Sequence, residues 1–282
     1  MSRRARDSEA SRRYHDRVAG KYDRIYDDAY WEFYDELTWR AIKPFVPRDL
    51  SEKCLDLGCG TGKWGLKLLK TGLYTTFVDH SAGMIEQTRT KAEAMGPRAK
   101  KATLLVADIV DLSALEAPQF SLVVAMGDPL SICSDPARAV REIWRVMKPG
   151  GVVIATADSK VAAVDHFLEK GDVEGLEKFV RTSRTRWLTD DAREQFELTM
   201  FTPGTLRAIF ERAGFDVVSV VGKTILPIRK HQTILAKEGY MERLLTLEHE
   251  LAKDQSAAGK ASHLQITARK AAQPQSHTDQ HR

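Results

Sequence analysis

The sequence predicts an α/β protein: a seven-stranded, mostly parallel sheet with helices on both faces. From Lys53 to Arg269, short β-branched runs alternate with segments of helical periodicity, the trace that a parallel sheet and its crossover helices leave in a chain. The first of these runs leads straight into a glycine-rich turn, Gly58-Cys59-Gly60-Thr61-Gly62, that opens a helix. With 282 residues, 43% of them hydrophobic, there is apolar material enough for a buried core.

Taken in order, the strands are expected at Lys53–Leu57, Tyr74–Val78, Ala102–Val106, Phe120–Met126, Gly151–Ala157, Asp216–Gly222 and His263–Arg269. Between them Val140, Ile143, Trp144 and Met147 recur at helical spacing, as do Leu206, Ile209, Phe210 and Ala213, so each set is one apolar stripe facing the core. Thr202-Pro203 is an N-cap followed by proline at the first helical position, while Pro149-Gly150-Gly151 and Gly214-Phe215 each stop a helix before a strand. The stretch Ser159–Met200 falls outside the alternation. It is helical at first, then charged around Arg181 to Glu197, and is expected as an insertion over the carboxyl edge of the sheet. Residues 1–50 form an arm and an aromatic helical lid, 51–270 the main domain, and Ala271–Arg282 a polar, disordered tail.

Bulk properties exclude several classes. No apolar run approaches the roughly 20 residues of a membrane span, and the arginine-rich start lacks the apolar stretch of a signal peptide; the expected location is cytoplasmic. Cys54, Cys59 and Cys133 show no metal-ligand spacing and no disulfide framework, so no metal is expected and the thiols read as reduced. The net charge of +4 is mild beside the dense basic stripe of a nucleic-acid protein. Arg3, Arg4, Arg6, Arg12 and Arg13 cluster, offset by Asp7 and Glu9. This is either a solvated, frayed terminus or an RNA-contacting arm.

The glycine turn is the densest chemical signal. A triphosphate loop requires Ser or Thr after Gly-Lys, and here Trp64 follows Gly62-Lys63, so that reading fails. Gly60, Gly62 and Gly65 formally satisfy the dinucleotide fingerprint, but Asp56 stands two residues before Gly58, where a pyrophosphate wants no anion. An acid there suits a cationic amino group better, and S-adenosylmethionine (SAM) carries an ammonium, a sulfonium and no phosphate; a buried structural aspartate is the competing reading. Asp79 ends the second strand, where a carboxylate accepts from ribose hydroxyls. Asp108 ends the third, where it can accept from an adenine amino group beside apolar Ile109.

Leu55-Asp56-Leu57-Gly58-Cys59-Gly60-Thr61-Gly62, Asp79-His80-Ser81 with Met84-Ile85, Ala107-Asp108 and Val146-Met147-Lys148-Pro149-Gly150-Gly151 together resemble the class I SAM-dependent methyltransferases, over roughly Tyr14 to Lys270. The resemblance implies a Rossmann-like sheet with an antiparallel seventh strand after a final helix at Tyr240–Lys253. It implies that Asp56 and the Gly58–Cys59–Gly60 backbone hold the methionine moiety, Asp79 with neighbouring His80 the ribose side, Met84 one adenine face, and Asp108 with Ile109 the adenine edge. Among subgroups it is similar to the small-molecule enzymes.

The segment from Tyr14 through Tyr22, Tyr26, Trp31, Phe33, Tyr34 and Trp39 is rich in aromatics and resembles the lid of related enzymes. Tyr22 and Tyr26, four apart, are the expected lid contacts, since ring faces attract a sulfonium as they do other cations. After the fourth strand, Met126-Gly127-Asp128-Pro129 falls where related enzymes face the transferred methyl. Met126 is expected to line the cofactor, and Asp128 either positions or deprotonates the acceptor or caps a turn. His166 and His231 are further candidates for a general base. The expected activity is transfer of a methyl group from SAM, leaving S-adenosylhomocysteine, to a small acceptor. The alternatives are a nucleic-acid methyltransferase using the arginine arm, and a SAM-binding regulatory subunit without catalysis.

Overall fold

The computed structural model describes residues 3–186 and 194–272. In chain order the elements are α1 (Arg3–Val18), α2 (Tyr22–Ile25), α3 (Ala29–Ile42), β1 (Lys53–Leu57), α4 (Lys63–Lys70), β2 (Tyr74–Asp79), α5 (Ala82–Glu93), β3 (Ala102–Val106), β4 (Phe120–Ala125), α6 (Pro129–Ile132), α7 (Pro136–Val146), β5 (Met147–Asp158), α8 (Val164–Glu169), α9 (Val173–Thr182), β6 (Arg184–Arg186), β7 (Glu197–Thr199), α10 (Pro203–Arg212), β8 (Phe215–Lys223), α11 (Tyr240–Leu251) and β9 (His263–Lys270).

Seven strands form one sheet in the order β3-β2-β1-β4-β5-β9-β8. The pairings from β3 to β5 are parallel, and β9 runs antiparallel to both β5 and β8. Both faces are buried: Cys54, Leu122 and Ile154 pack toward α4, while Leu55, Val123 and Val153 pack toward α7 and α10. A sheet covered on both faces needs apolar residues at successive positions, not alternate ones, which is why its strands read as continuous apolar runs.

The direction of β9 decides which residues meet at the carboxyl edge of the sheet. Strands β1 to β5 all end on that edge, and β8 runs in their direction. A strand running the other way begins there, so His263, its first residue, pairs with the last residues of β5 and β8, Asp158 and Lys223.

Four sequence expectations are corrected. β5 begins at Met147, not Gly151, because the chain pairs with Phe120 before a bulge. Trp144 does not face the core: it is 38% exposed, and the Lys270 ammonium sits 3.8 Å from the centre of its ring. The amino terminus is not frayed, since Arg3–Val18 is a helix with Ala10, Ser11 and Val18 buried. The final helix stops at Leu251. The insertion contains α8, α9 and the antiparallel pair β6–β7; of its charged stretch 187–193 lie outside the described residues, as do 273–282 of the tail.

Candidate active site

The turn after β1 is built for close approach. The amides of Gly58 and Cys59 both donate to the Val78 carbonyl, at 2.8 and 3.0 Å, folding the chain over the end of β2. Gly58 has φ +68°, and a Cβ there would stand 2.7 Å from Pro129 Cβ. Gly60 has φ +54°, and its amide donates to Asp79 Oδ2 at 2.9 Å. The other Asp79 oxygen accepts from the Ser81 amide at 2.9 Å, so one carboxylate ties the glycine turn to the start of α5.

The turn floors a cavity of about 430 Å³, within the roughly 300–1,000 Å³ of small-molecule sites. Of the residues selected from the sequence, Tyr22, Tyr26, Gly58, Cys59, Gly60, Asp79, His80, Asp108, Ile109, Met126 and Asp128 all line it. Tyr22 and Tyr26 lie with ring centroids 4.7 Å apart, and Tyr26 meets Trp31 edge-on at 4.7 Å.

Two selected residues do not line it. The Asp56 carboxyl is 1% exposed and turned away from the cavity lining, accepting from the Gly65 amide at 2.7 Å. Burial, which disfavours the charged form, and the nearby Asp79 push its pKa up to about 8. Asp56 therefore braces the first turn of α4 from beneath, the geometry of the competing structural reading. Met84 is sealed in a cluster with Val18 and Ala19, because α1 packs on α5 and occupies the space in which the side chain was expected to meet a ligand.

Helices α1 to α3 close the cavity from above. Asp16 accepts from Ser81 Oγ at 2.6 Å and from the Gly83 amide at 3.0 Å. Ser8 Oγ donates to Asp108 Oδ2 at 3.1 Å, Thr61 Oγ1 to Asp23 at 2.6 Å, and Lys63 pairs with Asp35 at 2.6 Å. Three arginines of α1 are engaged as well. Arg12 pairs with Glu9 and Asp16, Arg13 with Glu9, and Arg17 with Glu194.

At the other end, Asp128 adopts the left-handed conformation, φ +62°, held by Thr156 Oγ1, which accepts from the Asp128 amide at 3.1 Å. Its Oδ2 lies 2.8 Å from His263 Nδ1, while Oδ1 is buried without a hydrogen-bond partner among the described residues. Asp158 Oδ1 stands 3.9 Å from the same nitrogen. Burial alone pushes the imidazole down, but the two carboxylates outweigh it and hold His263 above its ordinary value. Burial likewise works to raise the Asp128 carboxyl, and His263 overrides it. Burial and Asp128 together push Asp158 up to about 7. Nε2 of His263 has no hydrogen-bond partner among the described residues, and Tyr34 meets the ring edge-on at 5.2 Å.

His263, Tyr34, Asp158 and Arg229 also line the cavity. The two histidines singled out as bases do not. His166 lies on α8 against Phe167, and His231 is exposed beyond β8; neither lines this site. The missed histidine opens a strand read only as core, and the one signal for it was that an antiparallel seventh strand must begin at the ligand edge. Asp128, Asp158 and His263 also bring one ligand atom each within 4.8 Å of one another, a spacing that a divalent ion could bridge.

A family profile described as a methyltransferase domain matches residues 54–151, from β1 to the start of β5. The fold agrees with solved structures: a putative SAM-dependent methyltransferase from Listeria monocytogenes superposes with a TM-score of 0.59 at 18% identity, covering 84% of this chain and 99% of that one. Residues 54–151 thus match a methyltransferase domain, and the chain has the fold of the class I SAM-dependent methyltransferases. The chain is 24% identical over 260 residues to the tRNA 5-carboxymethoxyuridine methyltransferase of Escherichia coli, covering 90% of this chain and 95% of that enzyme. It is 32% identical over 155 residues to the demethylmenaquinone methyltransferase of Leptospira interrogans, a match confined to 51% of this chain and 59% of the relative. Among the described residues no helix is long and apolar enough to cross a membrane.

Proposed function

We propose that this methyltransferase acts on a small-molecule acceptor whose reacting atom carries a proton, and that His263, oriented by Asp128, removes that proton. The observation that carries the reading is the 2.8 Å Asp128–His263 contact at the wall of the cavity, with Nε2 left unpartnered. A carboxylate on Nδ1 fixes the tautomer that presents Nε2 as a base.

The residues fit SAM. Two carboxylates, Asp79 and Asp108, stand at the ends of adjacent strands at one end of the cavity, and Gly58 and Gly60, both at positive φ, present bare backbone on its floor. Asp79 would hold the ribose, Asp108 and Ile109 the adenine edge, and the Gly58–Gly60 backbone with Met126 the methionine portion, with Cys59, His80, Tyr22 and Tyr26 as walls. Bound there, the cofactor supplies a methyl group already activated by its sulfonium. What the chain adds is alignment, a dry site beneath the lid formed by residues 1–50, and proton removal.

A second reading, methylation of a tRNA nucleoside, is favoured by the full-length similarity to the tRNA enzyme. Against it, Arg12, Arg13 and Arg17 are already paired with carboxylates of this chain, which makes these three poorer phosphate ligands. The dyad argues against a non-catalytic subunit. Incubation with methyl-labelled SAM and, in parallel, a panel of small phenols, amines and hydroxy acids or total tRNA separates the readings. Label is expected in a small molecule, and His263→Ala should lower kcat by roughly 10²–10⁴ without changing the S-adenosylhomocysteine Kd. Label in tRNA alone sinks the small-molecule reading, and an unchanged kcat in His263→Ala sinks the base.

A further inference from the structure

We propose that Arg229 binds a carboxylate within this cavity, and that the carboxylate belongs to the acceptor, so that the substrate class is a small organic acid. The inference rests on reading the cavity as a methyl-transfer site and narrows what that site accepts.

The first ground is electrostatic. The cavity is lined by several carboxylates, as befits a cationic cofactor, and its lysine, Lys63, is neutralised by Asp35 at 2.6 Å. Arg229 lines the same cavity, yet among the described residues its guanidinium has neither an ion pair nor a hydrogen bond. A guanidinium exposed at the mouth with no carboxylate partner among the described residues is available to an anion that enters with the substrate.

The second ground is that the guanidinium is held ready. The chain leaves β8 and forms a single 3-10 turn, Ile228–Lys230. Ile228 is 4% exposed and packs with Tyr30 and Phe33, which anchors the turn against α3. The Arg229 guanidinium lies 5.6 Å from the centre of the Tyr30 ring and 5.8 Å from that of Trp31. These cation–π contacts hold the guanidinium beside the two rings and leave its N–H groups free for a planar, two-pronged acceptor such as a carboxylate.

The third ground is position. β8 ends on the edge where β9 begins, so the turn bearing Arg229 follows the strand whose last residue pairs with His263. Arg229 lies 5.8 Å from the Trp31 ring, Trp31 meets Tyr34 at 5.3 Å and Tyr34 meets His263 at 5.2 Å, a chain of contacts that puts the cation at the acceptor end. An acceptor bridging the two would offer its proton-bearing atom to His263 and its carboxylate to Arg229, with Trp31 and Tyr34 along its sides.

The cofactor's own carboxylate is the other source of this chemistry, and titration calorimetry on the full chain distinguishes the two. Wild type, Arg229→Gln and Arg229→Lys are titrated with S-adenosylhomocysteine, with 5′-methylthioadenosine, which lacks the amino-acid end, and, at saturating S-adenosylhomocysteine, with benzoate and benzamide. Wild type is expected to prefer benzoate to benzamide by roughly tenfold or more. Arg229→Gln should abolish that preference, and Arg229→Lys should keep part of it, since a point charge remains while the fork is lost. S-adenosylhomocysteine should bind all three proteins alike.

If Arg229→Gln weakens S-adenosylhomocysteine but not 5′-methylthioadenosine, the carboxylate is the cofactor's and the acceptor assignment is overturned. Equal binding of benzoate and benzamide to wild type, or a preference that survives in Arg229→Gln, overturns it too. Failure of wild type to bind S-adenosylhomocysteine at all would instead remove the cofactor reading beneath it. Arg229 is exposed at the mouth, and an unchanged melting temperature in both variants keeps a loss of binding from being a loss of fold.

Discussion

The Asp56→Asn substitution separates two roles that the sequence leaves open. The carboxyl is 1% exposed, accepts from the Gly65 amide at 2.7 Å, and has its pKa pushed up to about 8 by burial and by Asp79. At pH 7 it is therefore mostly neutral in the folded protein, and an asparagine oxygen can accept the same hydrogen bond. S-adenosylhomocysteine affinity should change by less than about threefold, whereas removal of a carboxylate that held the ammonium would cost roughly 1.5–3 kcal/mol, or about 10–150-fold. Stability carries a second signature. Because the folded pKa lies above the ordinary 3.8, the wild-type contribution is complete below about pH 4 and is lost as pH rises through about 8. At roughly 1.4 kcal/mol per unit the full loss is on the order of 5 kcal/mol. An asparagine side chain cannot ionise, so the variant should gain on wild type in melting temperature between pH 6 and pH 9. Calorimetry for binding and thermal denaturation across that range decide it. A drop in affinity beyond tenfold, with a pH-independent difference in melting temperature, would refute the bracing role.

The remaining tests concern the dyad, the packing under the loop and the lid. Since Asp128 and Asp158 hold the His263 pKa above its ordinary value, the base is lost as pH falls through that value; kcat should rise with pH on an acidic limb that is absent in His263→Ala, and EDTA should leave the rate unchanged. A rate that EDTA abolishes and Mg²⁺ restores would reassign Asp128, Asp158 and His263 as metal ligands. Gly65→Ala puts a Cβ 2.3 Å from Phe77 Cε1 and 2.8 Å from Asp56 Oδ2, an overpacking cost of about 1–3 kcal/mol or more that outweighs the roughly 1 kcal/mol gain in helix propensity; urea denaturation should show a net loss. Asp16→Ala removes the acceptor for Ser81 and Gly83, and stopped-flow release of S-adenosylhomocysteine should quicken several-fold, with unchanged release refuting the latch.

How much of the molecule is legible in the chain depends on how far apart the cooperating residues lie. The strands are readable because a sheet buried on both faces demands continuous apolar runs, and their boundaries move only where pairing overrides composition, as when Phe120 draws Met147 into β5 ahead of Gly151. The cofactor end is readable because the Gly58–Gly62 turn, Asp79 and Asp108 each follow directly from a strand end. Asp56 reads two ways because proximity to the glycines suggests contact with a ligand, whereas a residue inside a central strand points into the protein, here toward Gly65. The arginine-rich terminus misleads because its alternation of Arg with Glu9 and Asp16 is an intrahelical pairing pattern, visible in the spacing but easily discounted for want of apolar periodicity.

The acceptor end is illegible for a topological reason. Asp128 and His263 are separated by 135 residues, and nothing local to His263 marks it, since it opens an ordinary apolar strand. Only the reversal of β9 delivers its first residue to the edge where the parallel strands end. On the proposed reading, the parallel strands β1 to β3 supply the cofactor site, whose residues stand in short local motifs. The β5-β9-β8 half supplies His263 and, through the turn after β8, Arg229, neither of which has a local motif. In this fold the identity of the cofactor is written in loops that follow strands, while the identity of the acceptor is set by which residues the antiparallel strand and its neighbour carry to the same edge. Exchanging residues there should alter acceptor choice and leave cofactor affinity intact.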